Sequence, residues 1–186
     1  MFIARWLTLA CFALGGMTPR RLAAQASVDT LPPPVHIPRI ALWGSAGFGN
    51  AHIASTPTVQ SAAVAKINLS VGPAVLAFRA SDAGPFYPGG GDGVRDSGLL
   101  AGVRTGGRRI FGSAALGFGN ASHYHDCDTC GHEDVEPSVG VMVYDVTVHA
   151  NLLVIGAAAS FSGIAGPERV RYSAFTVGLE AGWFGH

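Results

Sequence analysis

Apolar and polar residues alternate along this chain in eight runs of roughly ten residues, and this two-residue period constrains the fold more than any other feature. In residues 62 to 71, Ile67 and Leu69 lie on one face of an extended chain, and Lys66 and Asn68 lie on the other. The other runs cover about 40–49, 73–80, 98–105, 110–119, 139–149, 151–162 and 175–183. No segment has a convincing helical period, so the sequence predicts an all-β protein.

The connections between these runs alternate in length. Short links lie at Gly72-Pro73, at "TGGR" and near Ala150-Asn151, and longer ones separate the remaining runs. These longer connections cover Asn50 to Ser61, Ser81 to Asp96, Asn120 to Ser138 and Gly163 to Val170. All of them therefore fall at one end of an up-and-down sheet, which is typical of an eight-stranded antiparallel transmembrane β-barrel. We expect residues 39–186 to form it.

The first 26 residues have the features of a secretory signal peptide. A basic residue, Arg5, precedes the apolar stretch "WLTLACFALGGM", and "AQA" before Ser27 fits a cleavage site. Residues 27–38 would then form a proline-rich periplasmic leader. Cleavage would remove three of the 12 basic residues and none of the 12 acidic ones, giving a net charge of −3. Nucleic acid is therefore not an expected partner.

The composition distinguishes between two kinds of barrel. A soluble periplasmic barrel that binds an apolar ligand would turn its polar face to water, and that face would carry many charges. This chain has only 13% charged residues, 26 glycines and one lysine, Lys66. Small residues on the polar face suit a narrow lumen, so we favour a membrane barrel with its apolar face toward outer-membrane lipids.

The few charges on the polar faces predict an ion-pair network that plugs the lumen, because charges in a closed lumen must be paired. The residues concerned are Lys66, Arg79, Arg104, Asp145 and Glu180. We expect Glu180 to pair with Lys66 or with an arginine.

Four phenylalanines predict an aromatic girdle near the outer end of the barrel. They are Phe48, Phe78, Phe118 and Phe161. Two of them lie in a repeated "GFGNA", at residues 47–51 and 117–121. We interpret the repeat as one barrel corner built twice, with both glycines toward the lumen and the asparagine beginning a loop.

The segment "HYHDCDTCGHEDVE" (residues 123–136) concentrates the groups most suited to chemistry. A disulfide between Cys127 and Cys130 is favoured, because an exported chain meets an oxidising compartment. One alternative is a zinc site, in which both cysteines would bind the metal with two histidines, and another is a pair of free thiols in an unstructured loop. Those histidines would come from His123, His125 and His132. Beyond this, no cofactor is expected.

No catalytic motif is present. A lipid-modifying enzyme would require a histidine and serine pair, and Ser122 next to His123 suggests one, but adjacent residues on a strand point in opposite directions. We therefore do not expect an enzyme.

The predicted signal peptide, strand number, loop asymmetry and girdle resemble the small eight-stranded outer-membrane proteins of the OmpA transmembrane-domain and OmpX-like group. The resemblance is architectural and covers residues 39 to 184. It implies a bacterial outer-membrane barrel that presents long extracellular loops for envelope structure or surface interaction, with outer-membrane lipids and a surface ligand or protein as partners. It does not specify an oligomeric state.

Overall fold

A computed structural model describes residues 39–85, 91–107, 109–127 and 132–184. The predicted signal peptide and leader lie outside these ranges. Within them, no helix is long and apolar enough to cross a membrane.

The described residues form nine β-strands in a single sheet. Their bounds are β1 Ile40–Ile53, β2 Val59–Val71, β3 Ala74–Gly84, β4 Gly91–Gly106, β5 Ile110–Cys127, β6 His132–Val135, β7 Val139–Leu152, β8 Ile155–Ala165 and β9 Tyr172–Trp183.

The sheet closes on itself as an antiparallel barrel. Strands that follow one another in the sequence are neighbours in the sheet, and β9 returns to pair with β1, for example Glu180 with Ser45. β6 extends the wall that β7 builds, because β5 pairs with β7 as far as Ala121 and Val139 and then with β6 from Tyr124 and Val135. The predicted eight-stranded antiparallel barrel is confirmed.

Two of the predicted long loops are wrong in extent. β3 continues to Gly84 and β4 begins at Gly91, so most of Ser81 to Asp96 is paired strand. β5 continues to Cys127, and β6 pairs with its outer end. The sequence does not reveal these extensions, because polar residues such as Asp82 and Arg95 replace the apolar outer side chains there and interrupt the alternation. Their backbone groups still need hydrogen-bond partners, and the continued ladder supplies them.

The opposite end of the barrel has tight turns. Gly72 and Leu153 occupy the left-handed region, with φ of 60° and 59°, in the links from β2 to β3 and from β7 to β8. Left-handed residues let two adjacent strands reverse direction within two residues. This short-turn end also holds both ends of the barrel sequence, at β1 and β9.

The outer face of the barrel is apolar and exposed. It carries large side chains from every wall strand, among them Leu42, Ile67, Leu76, Leu99, Leu116, Val146, Phe161 and Leu179. The inner face instead packs small residues, polar groups and two apolar clusters. One cluster contains Ile53, Leu100 and Val143, and the other contains Trp43, Phe111 and Phe184 near the short-turn end.

The two copies of the repeated "GFGNA" occupy matching positions in β1 and β5. Phe48 and Phe118 point outward, whereas a Cβ on Gly49 or Gly117 would overlap a backbone carbonyl of the neighbouring strand. The prediction that the asparagines begin a loop is wrong, because Asn50 and Asn120 lie inside longer strands. The repeat therefore marks close strand approach in a tightly curved wall.

We predict that Gly117→Val impairs barrel formation. Its Cβ would collide with the carbonyl oxygen of Leu99, and backbone can move little to accommodate it. Overpacking of this kind costs about 1–3 kcal/mol or more. The measurement is the folded fraction after refolding in detergent micelles, read from heat-dependent gel mobility. Ala114→Val, on the outer face of the same strand, is the control and should fold like the wild type. Equal folded fractions for the two variants would contradict the prediction.

Candidate functional site in the barrel lumen and the outer hairpins

A lysine-centred cluster lies inside the barrel between β2, β7 and β8. The Lys66 ammonium donates to both carboxylate oxygens of Asp145, at 3.1 Å each, and to the hydroxyls of Thr147 and Ser160, at 2.9 Å. All four residues are buried. The lysine's positive charge is thus balanced by one carboxylate and solvated by two hydroxyl groups, as a buried ammonium requires.

A second cluster surrounds Arg79, whose side chain is completely buried. One of its Nη atoms donates to Asp96 at 3.1 Å, and the other donates to Ser81 at 3.0 Å and to the Tyr172 hydroxyl. The Tyr172 hydroxyl and the Ser81 hydroxyl each donate in turn to Asp96. The cluster therefore links β3, β4 and β9 across the lumen.

A third group lies at the short-turn end. The His149 Nδ1 is 2.7 Å from Glu180 Oε1, and its Nε2 is 2.9 Å from the Ser113 hydroxyl. The imidazole stacks on Phe111 with ring centroids 4.2 Å apart, and Trp43 meets it edge-on at 5.8 Å. These contacts from several sides therefore hold His149 and Glu180 in one orientation.

Arg104 lies beside this third group and is half-buried. Its guanidinium donates to Ser70 at 3.0 Å and stacks over Phe111, 4.1 Å from the ring centroid. In the ladder between β4 and β5, Arg104 is directly opposite Ser113.

The five charges predicted for the lumen thus fall into separate groups. Lys66 and Asp145 come together, whereas Arg79 and Arg104 each belong to another group. Glu180 contacts His149 and not Lys66 or an arginine, which were the expected partners. The Lys66 ammonium instead pairs with the carboxylate of Asp145. Lys66 is balanced by Asp145 and Arg79 by Asp96, whereas Arg104 contacts Ser70 and aromatic rings.

The sequence patterns did not identify three lumen residues: Asp96, His149 and Tyr172. Each lies an even number of residues from a predicted lumen residue on the same strand, so the two side chains face the same side of the sheet. The pairs are Asp96 with Arg104, His149 with Asp145 and Tyr172 with Glu180. Extending the strands by this rule identifies Asp96 and Tyr172, and His149 already lies at the end of the predicted run 139–149. Asp96 and Tyr172 were missed because they lie where the strands continue beyond the predicted runs.

The four phenylalanines of the predicted girdle all lie on the outer face. They are between 47% and 79% exposed, with Phe78 the least and Phe118 the most exposed. Phe78 and Phe118 flank Leu99 on the same rung of the sheet. Phe161 is opposite Phe175, a further exposed aromatic residue that the sequence analysis did not assign to the girdle.

The outer ends of β3, β4 and β5 carry a second set of polar contacts. Asp82 accepts hydrogen bonds from Arg95, at 2.8 Å, and from the Tyr124 hydroxyl, at 2.7 Å. His125 is 2.9 Å from Asp92. These contacts join the two hairpins, β3 with β4 and β5 with β6, at their polar outer ends.

The predicted cysteine and histidine site lies largely outside the described side chains. Cys130 is not described, and only the backbones of Cys127 and His132 are, where they pair with each other between β5 and β6. His123 lies 3.9 Å from both Asp92 and Glu136. Among the side chains that the structure does describe, no group of three or more potential ligands is placed to hold a metal ion. The disulfide and the zinc site both stay predictions.

No protein-family model matches the sequence, and no curated protein matches it.

Solved structures of small bacterial surface proteins do match the fold. The Neisserial surface protein A aligns with a TM-score of 0.61 and 9% identity, over 76% of this chain and 96% of that one. The N-terminal barrel domain of Pseudomonas aeruginosa OprF aligns with a TM-score of 0.56 and 12% identity, over 76% and 97%. The attachment invasion locus protein of Yersinia pestis, Ail, aligns with a TM-score of 0.52 and 10% identity, over 78% and 97%.

These similarities show the fold. The chain has the architecture of the small eight-stranded outer-membrane β-barrels, so the architectural resemblance seen in the sequence is confirmed.

We predict that Lys66→Met destabilises the barrel by about 3–5 kcal/mol, because it leaves the buried Asp145 carboxylate without its counter-charge. Urea unfolding in phospholipid vesicles measures the free energy. The double variant Lys66→Met with Asp145→Asn removes both charges and should recover most of the loss. A single variant within about 1 kcal/mol of the wild type, the range of an exposed pair, would contradict the prediction.

Proposed function

We propose that this protein is an integral barrel of the bacterial outer membrane, exported by its predicted signal peptide, with a lumen plugged by paired charges. It presents the outer ends of its hairpins at the cell surface, for envelope structure or for interaction with a surface partner.

The observation that carries this proposal is the exposed apolar outer face. Leu99 and Leu116 are each 61% exposed and Leu179 is 76% exposed, and such residues encircle the closed wall. A water-soluble barrel does not expose a continuous apolar surface of this size, whereas lipid tails cover it without cost. The same observation argues against the soluble ligand-binding barrel, whose apolar face would point inward.

The plug is supported by the packing of the lumen. The clusters around Lys66 and Arg79 extend side chains across it from opposite walls. The cavity beside Lys66 measures about 10 Å³, which is room for about one water molecule. An eight-stranded barrel has an interior just wide enough for its side chains, so we expect no open channel.

The surface role is supported by the asymmetry between the barrel ends. One end has tight turns, and the other extends the wall outward through β3, β4, β5 and β6. The segment from 120 to 138 contains five acidic residues and no lysine or arginine. Ail has been captured with a heparin analogue, a polyanion. The acidic segment of this chain instead favours a basic protein surface as partner.

Site-directed labelling tests the orientation and the membrane location together. Asp92 lies at the outer end of β4 and Thr105 at the short-turn end, and both are exposed. In a background without Cys127 and Cys130, each is replaced singly, Asp92→Cys or Thr105→Cys. A membrane-impermeant maleimide should label the Asp92 variant in intact cells. It should label the Thr105 variant only after the outer membrane is permeabilised.

Two results would overturn the proposal. One is labelling of the Thr105 variant in intact cells without labelling of the Asp92 variant, which would reverse the orientation. The other is release of the wild-type protein from membranes by high salt without detergent, since an integral barrel stays in the bilayer. Heat-dependent gel mobility confirms that each variant is folded before it is labelled.

A further inference from the structure

Three polar side chains form a chain of hydrogen bonds across the short-turn end of the lumen. Glu180 Oε1 lies 2.7 Å from His149 Nδ1, and His149 Nε2 lies 2.9 Å from Ser113 Oγ. The carboxylate and the imidazole are almost completely buried, with side-chain exposures of 0% and 1%, and the serine is half-buried. With Nδ1–H donating a hydrogen bond to Glu180 Oε1, the other ring nitrogen of His149, Nε2, accepts one from the Ser113 hydroxyl.

We propose that Ser113, His149 and Glu180 form a hydrolytic site for short carboxylic esters, which enter the lumen from the short-turn end. Ser113 is the nucleophile, His149 is the general base and Glu180 is a positioning residue that orients the imidazole. The order of the three groups and the two distances meet the geometric requirement for an activated serine. The site is independent of the surface role proposed above, which depends on the opposite end of the barrel.

The fold brings these residues together from three strands. Ser113 is on β5, His149 is on β7 and Glu180 is on β9, separated by 36 and 31 positions in the sequence. β8 lies between His149 and Glu180, and its lumen-facing residues there are Gly156 and Ala158. Their small size leaves the space through which the imidazole reaches the carboxylate.

The surroundings hold the imidazole rigidly. Phe111 stacks on one face of the ring, and Trp43 meets the ring edge-on. Both aromatic residues are buried, as is Phe184 beside Trp43. A fixed base needs no reorganisation when it takes a proton, which is the property that a catalytic histidine requires.

Arg104 supplies the positive charge that the reaction would use. It is opposite Ser113 in the β4–β5 ladder, and its guanidinium retains further N–H donors besides the one given to Ser70. A cation at this end of the lumen favours the negative charge that develops on the oxygen when an ester carbonyl is attacked. Because Trp43, Phe111 and Phe184 are buried together at this end of the lumen, a short acyl group is the one that we expect to fit.

The chemistry balances without a cofactor. The Ser113 oxygen bonds to the ester carbonyl carbon as its proton passes to His149 Nε2. The bond to the alcohol oxygen then breaks, and His149 returns the proton to the departing alkoxide. Water attacks the acyl-serine by the same route, giving the carboxylic acid and free Ser113. One ester and one water thus become one acid and one alcohol, and Glu180 takes no proton in either step.

Fluorophosphonate labelling of the folded wild-type barrel in detergent micelles is the primary test. A fluorophosphonate phosphonylates an activated serine with loss of fluoride. We expect a single adduct by intact-protein mass spectrometry, mapped by peptide analysis to Ser113 and absent from urea-unfolded protein. Ser122→Ala is the matched control, because it removes the serine next to His123 and should label like the wild type.

Hydrolysis of p-nitrophenyl acetate then separates the roles. Ser113→Ala should abolish the activity. His149→Gln should slow labelling and hydrolysis by about 10²-fold or more, the usual contribution of a general base. Glu180→Gln should lower kcat while leaving KM unchanged, which a purely structural residue would not do. Heat-dependent gel mobility verifies that each variant is folded.

The proposal is overturned if folded wild-type protein acquires no adduct on Ser113. It is also overturned if the adduct forms at the same rate in folded His149→Gln, because the serine would then react without its base. Should a variant fail to fold, the adduct map of the wild type and its loss on unfolding still decide the question.

Discussion

Closure of the sheet between β1 and β9 is the interaction on which the rest of the structure depends. The two strands pair from Leu42 and Trp183 to Ile53 and Tyr172, so no wall strand is left with an open edge. In lipid, an unpaired backbone group has no water to bind, and closed barrels are therefore the sheets that cross membranes. Closure with eight strands also fixes a narrow barrel radius, and this radius determines which side chains the lumen can hold.

A narrow, closed lumen has two consequences for its side chains. Small residues are needed where the backbone of an adjacent strand approaches closely, as at Gly49 and Gly117. Charged residues that are buried in it need a partner of opposite charge within reach. Lys66 with Asp145, and Arg79 with Asp96, meet that need, and His149 with Glu180 forms a third pair toward the short-turn end. The same packing that stabilises the barrel fixes the orientation of each polar group.

The two ends of the barrel differ because the chain reverses direction in different ways. At the short-turn end, left-handed residues such as Gly72 and Leu153 reverse the chain immediately. At the outer end, the ladder between β4 and β5 continues as far as Gly91 and Asp126. Polar contacts such as those of Asp82 replace the apolar belt there. The surface role that we propose therefore belongs to the outer end.

The sequence by itself determined the class of fold, because a two-residue period decides which face of a strand each residue occupies. That rule placed Lys66 and Glu180 in the lumen and Phe48 and Phe118 outside. It says nothing about which lumen residues meet, since partners such as Ser113, His149 and Glu180 come from strands far apart in the chain. Register, closure and barrel radius decide those contacts. It also did not predict the strand ends around Asp96 and Cys127, because polar residues such as Asp82 and Arg95 interrupt the apolar alternation there. Only the tertiary structure, through backbone pairing, decided where those strands end.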